Sequence, residues 1–130
     1  MNEIQVLVYM AIWTLLLIAP GTTALLVIGG VSAGVGNREE VPELPAWAGR
    51  SNRAHRNMLE NLPLFAAMIL AAQMADVSNP ATVQGAQLFF WGRIAHGVVY
   101  IAGIPYVRTL AFAVSIAGMM QIAREVLAAV

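Results

Sequence analysis

Three groups of polar residues recur at helical spacing in an otherwise apolar chain. Arg53, Arg56, Asn57 and Glu60 stand at i, i+3, i+4 and i+7, which places them on one face of a helix. Arg93, His96 and Tyr100 repeat the pattern at i, i+3 and i+7, and Arg108, Thr109, Phe112 and Ser115 follow at i, i+1, i+4 and i+7. Within these stripes Arg53, Arg56, Arg93 and Arg108 meet a single carboxylate, Glu60. Glu60 with Arg93, and His96 with a neighbouring hydroxyl, are the internal pairings the stripes allow. Positive charge is left over. A buried cation is costly without a counter-ion, and guanidinium groups match carboxylates bidentately. The set therefore points to a small polyanion with at least one amine for Glu60 to accept, and Arg38 can add a fifth guanidinium.

The surroundings say what must position these residues. The chain has 130 residues, 59% hydrophobic and 11% charged, where a soluble domain averages about 45–50% and about 25%. Seven Arg balance seven Asp and Glu, with no Lys. So few charges cannot dress a soluble surface, and the reading is a membrane protein. Such hydrophobicity excludes disorder, and zero net charge argues against nucleic acid as a partner. Cysteine is absent, so there is no disulfide, thiolate metal site or cysteine nucleophile. The two histidines, His55 and His96, are too few and too far apart in sequence for a metal site. Any thiol chemistry must come from a ligand.

Eight of the fourteen charged residues fall between Arg38 and Glu60, whereas Ile4 to Asn37 carries none. A crossing needs about 20 mostly apolar residues. Spans are expected at about 4–34, 53–75, 81–102 and 106–127. The first is too long, and lacks the basic leader, for a cleaved signal. Pro20-Gly21 and Gly29-Gly30 interrupt it, and a kink is expected near Pro20. Ser78-Asn79-Pro80 and Gly103-Ile104-Pro105 punctuate the later turns, and such short links make consecutive helices antiparallel neighbours. The expected fold class is all-α: an integral membrane four-helix bundle in one domain over residues 1–130, without solenoid repeats.

At this point the residues resemble a known family. Arg53-Ala54-His55-Arg56-Asn57-Met58-Leu59-Glu60-Asn61 is similar to the signature of the MAPEG family, the membrane-associated proteins in eicosanoid and glutathione metabolism. Arg93-Ile94-Ala95-His96 with Tyr100, then Pro105-Tyr106-Val107-Arg108-Thr109, resemble its third and fourth helices. The likeness runs from Arg38 to the C-terminus and is nearest to the short bacterial members. It implies a homotrimer in a bacterial inner membrane, with glutathione as the bound cofactor between adjacent protomers near the cytoplasmic side. By the same resemblance, Arg53, Asn57 and Glu60 hold the ends of the tripeptide, and Glu60 takes the γ-glutamyl amine. Arg38, Arg56, His96 and Tyr100 add contacts. Arg108 matches the arginine that stabilises the thiolate, Thr109 replaces a neighbouring hydroxyl residue, and Arg93 is structural, paired with Glu60 or a backbone carbonyl.

The activity implied is a glutathione transferase or peroxidase acting on hydrophobic electrophiles or lipid hydroperoxides. Its partners would be a second copy, membrane lipid and a hydrophobic small molecule. Two departures count against a prostaglandin isomerase. Met58 stands where those members carry an acidic residue, and Phe112 falls near their tyrosine. Leu88-Phe89-Phe90-Trp91 and the apolar fourth helix are expected to pack or touch lipid, with a hydrophobic groove as the alternative, and Trp13, Trp47 and Trp91 to serve packing or the interface. One rival is a non-catalytic member of the same fold. A weaker one is a small multidrug exporter, which needs a carboxylate in the first span, and Ile4–Asn37 has none.

Orientation follows from arginine placement. Arg38, Arg50, Arg53, Arg56 and Arg108 gather on one side and only Arg124 on the other, which puts the 37–51 loop in the cytoplasm and both termini outside. A cysteine introduced in the 37–51 loop should resist an impermeant thiol reagent in intact cells, while one at Asn2 should react. The opposite labelling pattern would reverse the topology.

Overall fold

The computed structural model describes residues 1–39 and 41–130, and every regular element within them is a helix. In chain order these are α1 (Glu3–Leu16), α2 (Ile18–Val35), α3 (Ala46–Met74), α4 (Pro80–Ala102) and α5 (Pro105–Ala129). The first two are halves of one membrane-length segment, Glu3–Val35, so the described residues form a four-helix bundle.

Pro20 accounts for the break between the halves. Its ring nitrogen cannot donate to the Leu16 carbonyl four residues earlier, and the ring crowds that oxygen. The helix lapses at Leu17. Ser51 of α3, fully buried, donates its hydroxyl to the Leu17 carbonyl at 3.3 Å, which answers a backbone group loosened by the kink. Gly21 lies against the Asn52 side chain, where a β-carbon would collide. The expected kink is thus also the place where α3 docks. Gly30, at φ 71°, gives α2 a second non-helical point.

Three spans match their expected limits within two residues, but the second does not. α3 opens at Ala46, seven residues before Arg53. Gly49, Arg50, Ser51 and Asn52 hid those turns from a reading based on apolar runs. They are helical because Ala48, Ser51, Ala54 and Met58 bury one stripe against the bundle. The added turns also bring Arg50 to α4. Its Nε donates to the Ile101 carbonyl at 2.8 Å, placing a cation at the negative end of that helix. Gly103, at φ 83°, then ends α4 in the left-handed conformation.

At the opposite end the polar groups satisfy one another. Asn79 caps α4 in a reciprocal box with Thr82. The Thr82 hydroxyl also lies 2.6 Å from the Glu3 carboxylate, which accepts from Ser78 at 3.0 Å as well. Glu3 is 2% exposed, so this cluster ties the start of α1 to the α3–α4 turn. Asn79 Nδ2 donates to Glu125 at 3.0 Å and brings in α5. Between the ends, Phe65 of α3 and Phe89 of α4 stack at 3.9 Å, packed with Met10, Met58, Ile69, Met119 and Ile122.

α4 and α5 meet backbone to backbone. A β-carbon on Gly85 would sit 2.7 Å from the Gly118 carbonyl oxygen, and one on Gly92 would sit 2.9 Å from the Ser115 nitrogen. Gly118 is equally hemmed in by the Gly85 carbonyl. Small residues permit such approach between membrane helices, where packing rather than apolar burial drives association. Gly85→Ala should therefore cost about 1–3 kcal/mol and lower the melting temperature in detergent. Ala113→Leu, on an exposed face of α5, should leave it unchanged. Equal melting of both variants would show that the close approach is not needed.

Candidate functional site

Near the α4–α5 turn the helix faces carry larger side chains, and a cavity of about 270 Å³ opens between α3, α4 and α5. Asn57, His96, Tyr100, Arg108, Thr109 and Phe112 line it. Five of these were singled out by sequence as site residues. Phe112 stood in the Arg108 stripe and as a departure from a family pattern, not among the candidate site residues. Its position one turn beyond Arg108 was the signal that it shares the cavity wall.

Each side chain is held by its neighbours. His96, 4% exposed, packs edge-on against Tyr100 with ring centroids 5.4 Å apart, and lies 6.0 Å from Phe112. The Arg108 guanidinium carbon sits 4.4 Å from the centre of the Tyr100 ring, a cation–π contact that fixes the charge without neutralising it. No carboxylate pairs with Arg108; the ion pair found among the described residues is Arg124 with Glu125. The Thr109 hydroxyl donates to the Pro105 carbonyl at 3.1 Å. Placed so, its oxygen offers lone pairs to the cavity, and donation from it requires rotation. Ser115, the last member of its stripe, is fully buried and donates to the Phe112 carbonyl at 2.7 Å. Its role is helix packing.

Arg93 lies one turn from His96 and is 1% exposed. The expected partner, Glu60 or a backbone carbonyl, is not the one it has. Nη2 donates to Asn57 Oδ1 at 2.8 Å and Nε to Met58 Sδ at 3.3 Å. Helix rotation explains the correction. At about 100° per residue, turning Met58 and Asn61 into the bundle carries Glu60 to the outside, where it is exposed.

Arg53 and Arg56 are exposed on the same outer side of α3, with Asn57 at the edge of the cavity. Arg38 stands apart. It is exposed, takes a left-handed φ of 58°, and donates to the Gly34 carbonyl at 3.4 Å. It lines a separate, larger cavity of about 660 Å³ with Gly29, Ser32, Ala33, Glu39, Val41 and Pro42. That cavity collects loop backbone around one arginine beside Glu39 and has no convergent polar set, so the chemistry belongs to the smaller one. Within one chain, then, Asn57, His96, Tyr100, Arg108 and Thr109 come together, whereas Arg38, Arg53, Arg56 and Glu60 do not join them.

On the flank of α4 and α5, Trp91, Ala95, Val107, Leu110, Ala111 and Val114 line an apolar groove of about 280 Å³. Of the aromatic run, Phe89 went to the core and Trp91 to this groove. Trp13 packs over Gly97, where a β-carbon would sit 2.9 Å from its ring.

Neither a curated protein nor a solved structure matches the chain. The sequence model of the MAPEG family matches residues 3–127 of the 130. That match reaches into all five helices and covers every residue of the cavity wall, in keeping with a family of membrane four-helix bundles whose members include glutathione transferases and peroxidases as well as non-catalytic proteins. The chain belongs to the MAPEG family.

Proposed function

We propose that this protein binds glutathione at the cavity and uses it in a transferase or peroxidase reaction on hydrophobic electrophiles or lipid hydroperoxides. One observation carries the reading. Arg108, with no carboxylate paired to it among the described residues, shares a cavity of about 270 Å³ with Asn57, His96, Tyr100 and Thr109. Glutathione has two carboxylates, one ammonium and a thiol, which is the charge pattern the arginine-rich end asks for. It supplies the sulfur nucleophile that this cysteine-free chain lacks.

Arg108 is the residue for the sulfur. Its charge is permanent, and the Tyr100 ring holds it in place at the cavity wall. A cation beside a thiol favours the thiolate and lowers its pKa. His96 and Tyr100 offer polar atoms on the opposite helix. The apolar groove of Trp91, Val107, Leu110 and Val114 adjoins the cavity across α5 and suits a hydrophobic second substrate.

The outer face of α3 supports a homotrimer. Arg53, Arg56 and Glu60 are exposed there, and charged side chains facing lipid are costly. A second copy packed on this face covers them and lets Arg53, Arg56 and Glu60, with an Arg38, complete a site shared between protomers. Glu60 then receives the γ-glutamyl ammonium. Orientation follows the arginine bias, with the site on the cytoplasmic side of the inner membrane, and residues 1–130 act as one domain. The non-catalytic alternative draws on Phe112, which brings no hydroxyl to the cavity, and on Thr109, whose proton is committed to Pro105. Its signature is binding without turnover.

Two substitutions test the reading in detergent-purified protein. Arg108→Ala should leave glutathione binding largely intact but raise the bound thiol's pKa toward the free value of about 8.5, read by ultraviolet absorbance of the thiolate against pH. Turnover at neutral pH should fall roughly tenfold or more, since about 1.4 kcal/mol of lost anion stabilisation is one power of ten, and should recover as pH rises. An unchanged thiol pKa would remove Arg108 from the mechanism. Glu60→Gln keeps the shape and removes the charge, and should weaken binding by about 1–3 kcal/mol with the assembly retained. Unchanged affinity with loss of the assembly would make Glu60 a structural residue.

A further inference from the structure

Arg93 is the largest fully buried side chain among the described residues. No acidic residue forms an ion pair with it among the described residues. Its Nη1 is buried without a hydrogen-bond partner, and its Nε is met only by the Met58 thioether, a weak acceptor. Such a group is expensive to keep in a bundle, because desolvation of an ion is repaid only by good pairing. An arginine retained purely for packing would be expected to have a carboxylate where Met58 stands.

Among the described residues, the one strong bond Arg93 makes is to Asn57, at 2.8 Å from Nη2. Arginine can only donate, so the Asn57 amide must turn its oxygen to Arg93, and the opposite orientation would set donor against donor. The Asn57 NH₂ group makes no hydrogen bond among the described residues, and Asn57 lines the cavity. The guanidinium carbon of Arg93 also lies 5.9 Å from the centre of the Phe112 ring, another part of the cavity wall. Arg93 thus stands directly behind the site without lining it.

We propose that Arg93 is a positioning residue for the ligand: it holds Asn57 with its NH₂ toward the cavity, as a donor for a carboxylate or carbonyl oxygen, and Met58 leaves its charge uncancelled so that the bound anion completes it. This rests on the glutathione reading above. Met58 is the specificity-determining partner, because a thioether rather than a carboxylate beside Arg93 keeps the cavity's field positive. Arg93 touches no reacting atom in this scheme. It acts through the Asn57 amide and through a short-range field in a dry interior, where charges are weakly screened.

The test uses four full-length proteins in detergent: wild type, Arg93→Met, Arg93→Gln and Met58→Asp. Glutathione binding is followed by calorimetry and melting by intrinsic fluorescence. Arg93→Met removes both bond and charge and should weaken binding at least tenfold, while melting at or above the wild-type temperature. Arg93→Gln keeps a donor for the Asn57 oxygen and should fall between the two. Met58→Asp leaves Arg93 and every cavity-lining residue in place but cancels the charge from behind. It should raise the melting temperature and still weaken binding severalfold, a combination that a purely structural Arg93 would not produce. Wild-type affinity in both Arg93→Met and Met58→Asp overturns the assignment while leaving the glutathione reading intact. Absence of saturable binding by the wild type at millimolar glutathione overturns both. Should Arg93→Met fail to fold, Met58→Asp with unchanged affinity still overturns the assignment.

Discussion

In lipid, helices gain nothing from hiding apolar surface, because acyl chains are as apolar as leucine. Association must come from close packing, and here it rests on α4 and α5 touching through Gly85, Gly92 and Gly118. That contact sets the rest. It fixes the rotation of α4 relative to α5, so His96 and Tyr100 look across at Phe112 and Arg108. The same rotation turns Phe89 onto Phe65 of α3, and α3 in turn delivers Asn57. A shift of either helix about its axis would disperse the cavity wall and the core stack together. The glycines hold the frame, and the bulky residues nearer the turn use the space it defines.

The polar groups of this bundle fall into two populations. Around Glu3 they are answered: Thr82, Ser78, Asn79, Glu125 and Arg124 form a closed set of hydrogen bonds that ties helix ends together. Around Arg108 they are not. Arg108 rests on an aromatic face, and among the described residues neither Arg93 Nη1 nor the Asn57 NH₂ has a hydrogen-bond partner. Arg93 Nη1 is a buried polar atom left unsatisfied, which costs free energy, so folding alone explains the first population and leaves this part of the second unexplained. On the proposed reading, a bound anion gives the second a physical reason.

Much of this was legible in the sequence, for identifiable reasons. An uncharged stretch of membrane length located α1 and α2, mostly apolar runs between turn residues located α4 and α5, and Pro20 located the kink, because lipid and the proline ring impose local rules. Asn57, His96, Tyr100, Arg108 and Thr109 were legible as stripes because helical spacing puts such residues on one face whatever the surroundings. Two things were not. The first turns of α3 carry Gly49, Arg50 and Ser51, whose helicity depends on docking against the kink and on α4 rather than on composition. The partner of Arg93 was equally hidden, since spacing cannot say which face of α3 turns inward. That rotation is decided by packing of Ala54, Met58 and Phe65.

The rotation of α3 also explains why one chain holds only part of the predicted set. With Ala54, Met58, Asn61 and Phe65 committed to the core, Arg53, Arg56 and Glu60 must point outward. Asn57 is left on the boundary, half-buried. A helix that carries nine polar or charged residues from Arg50 to Asn61 cannot turn all of them to one interior. It divides them among a helix-end contact for Arg50, the kink for Ser51 and Asn52, the core for Asn61, the cavity for Asn57 and an outer face for Arg53, Arg56 and Glu60. On the proposed reading this division is the design of a shared site: the outward charges complete a neighbour's cavity while the inward amide serves its own. The Arg93–Asn57 bond then matters beyond one chain, because it fixes the residue where the two halves of the site meet.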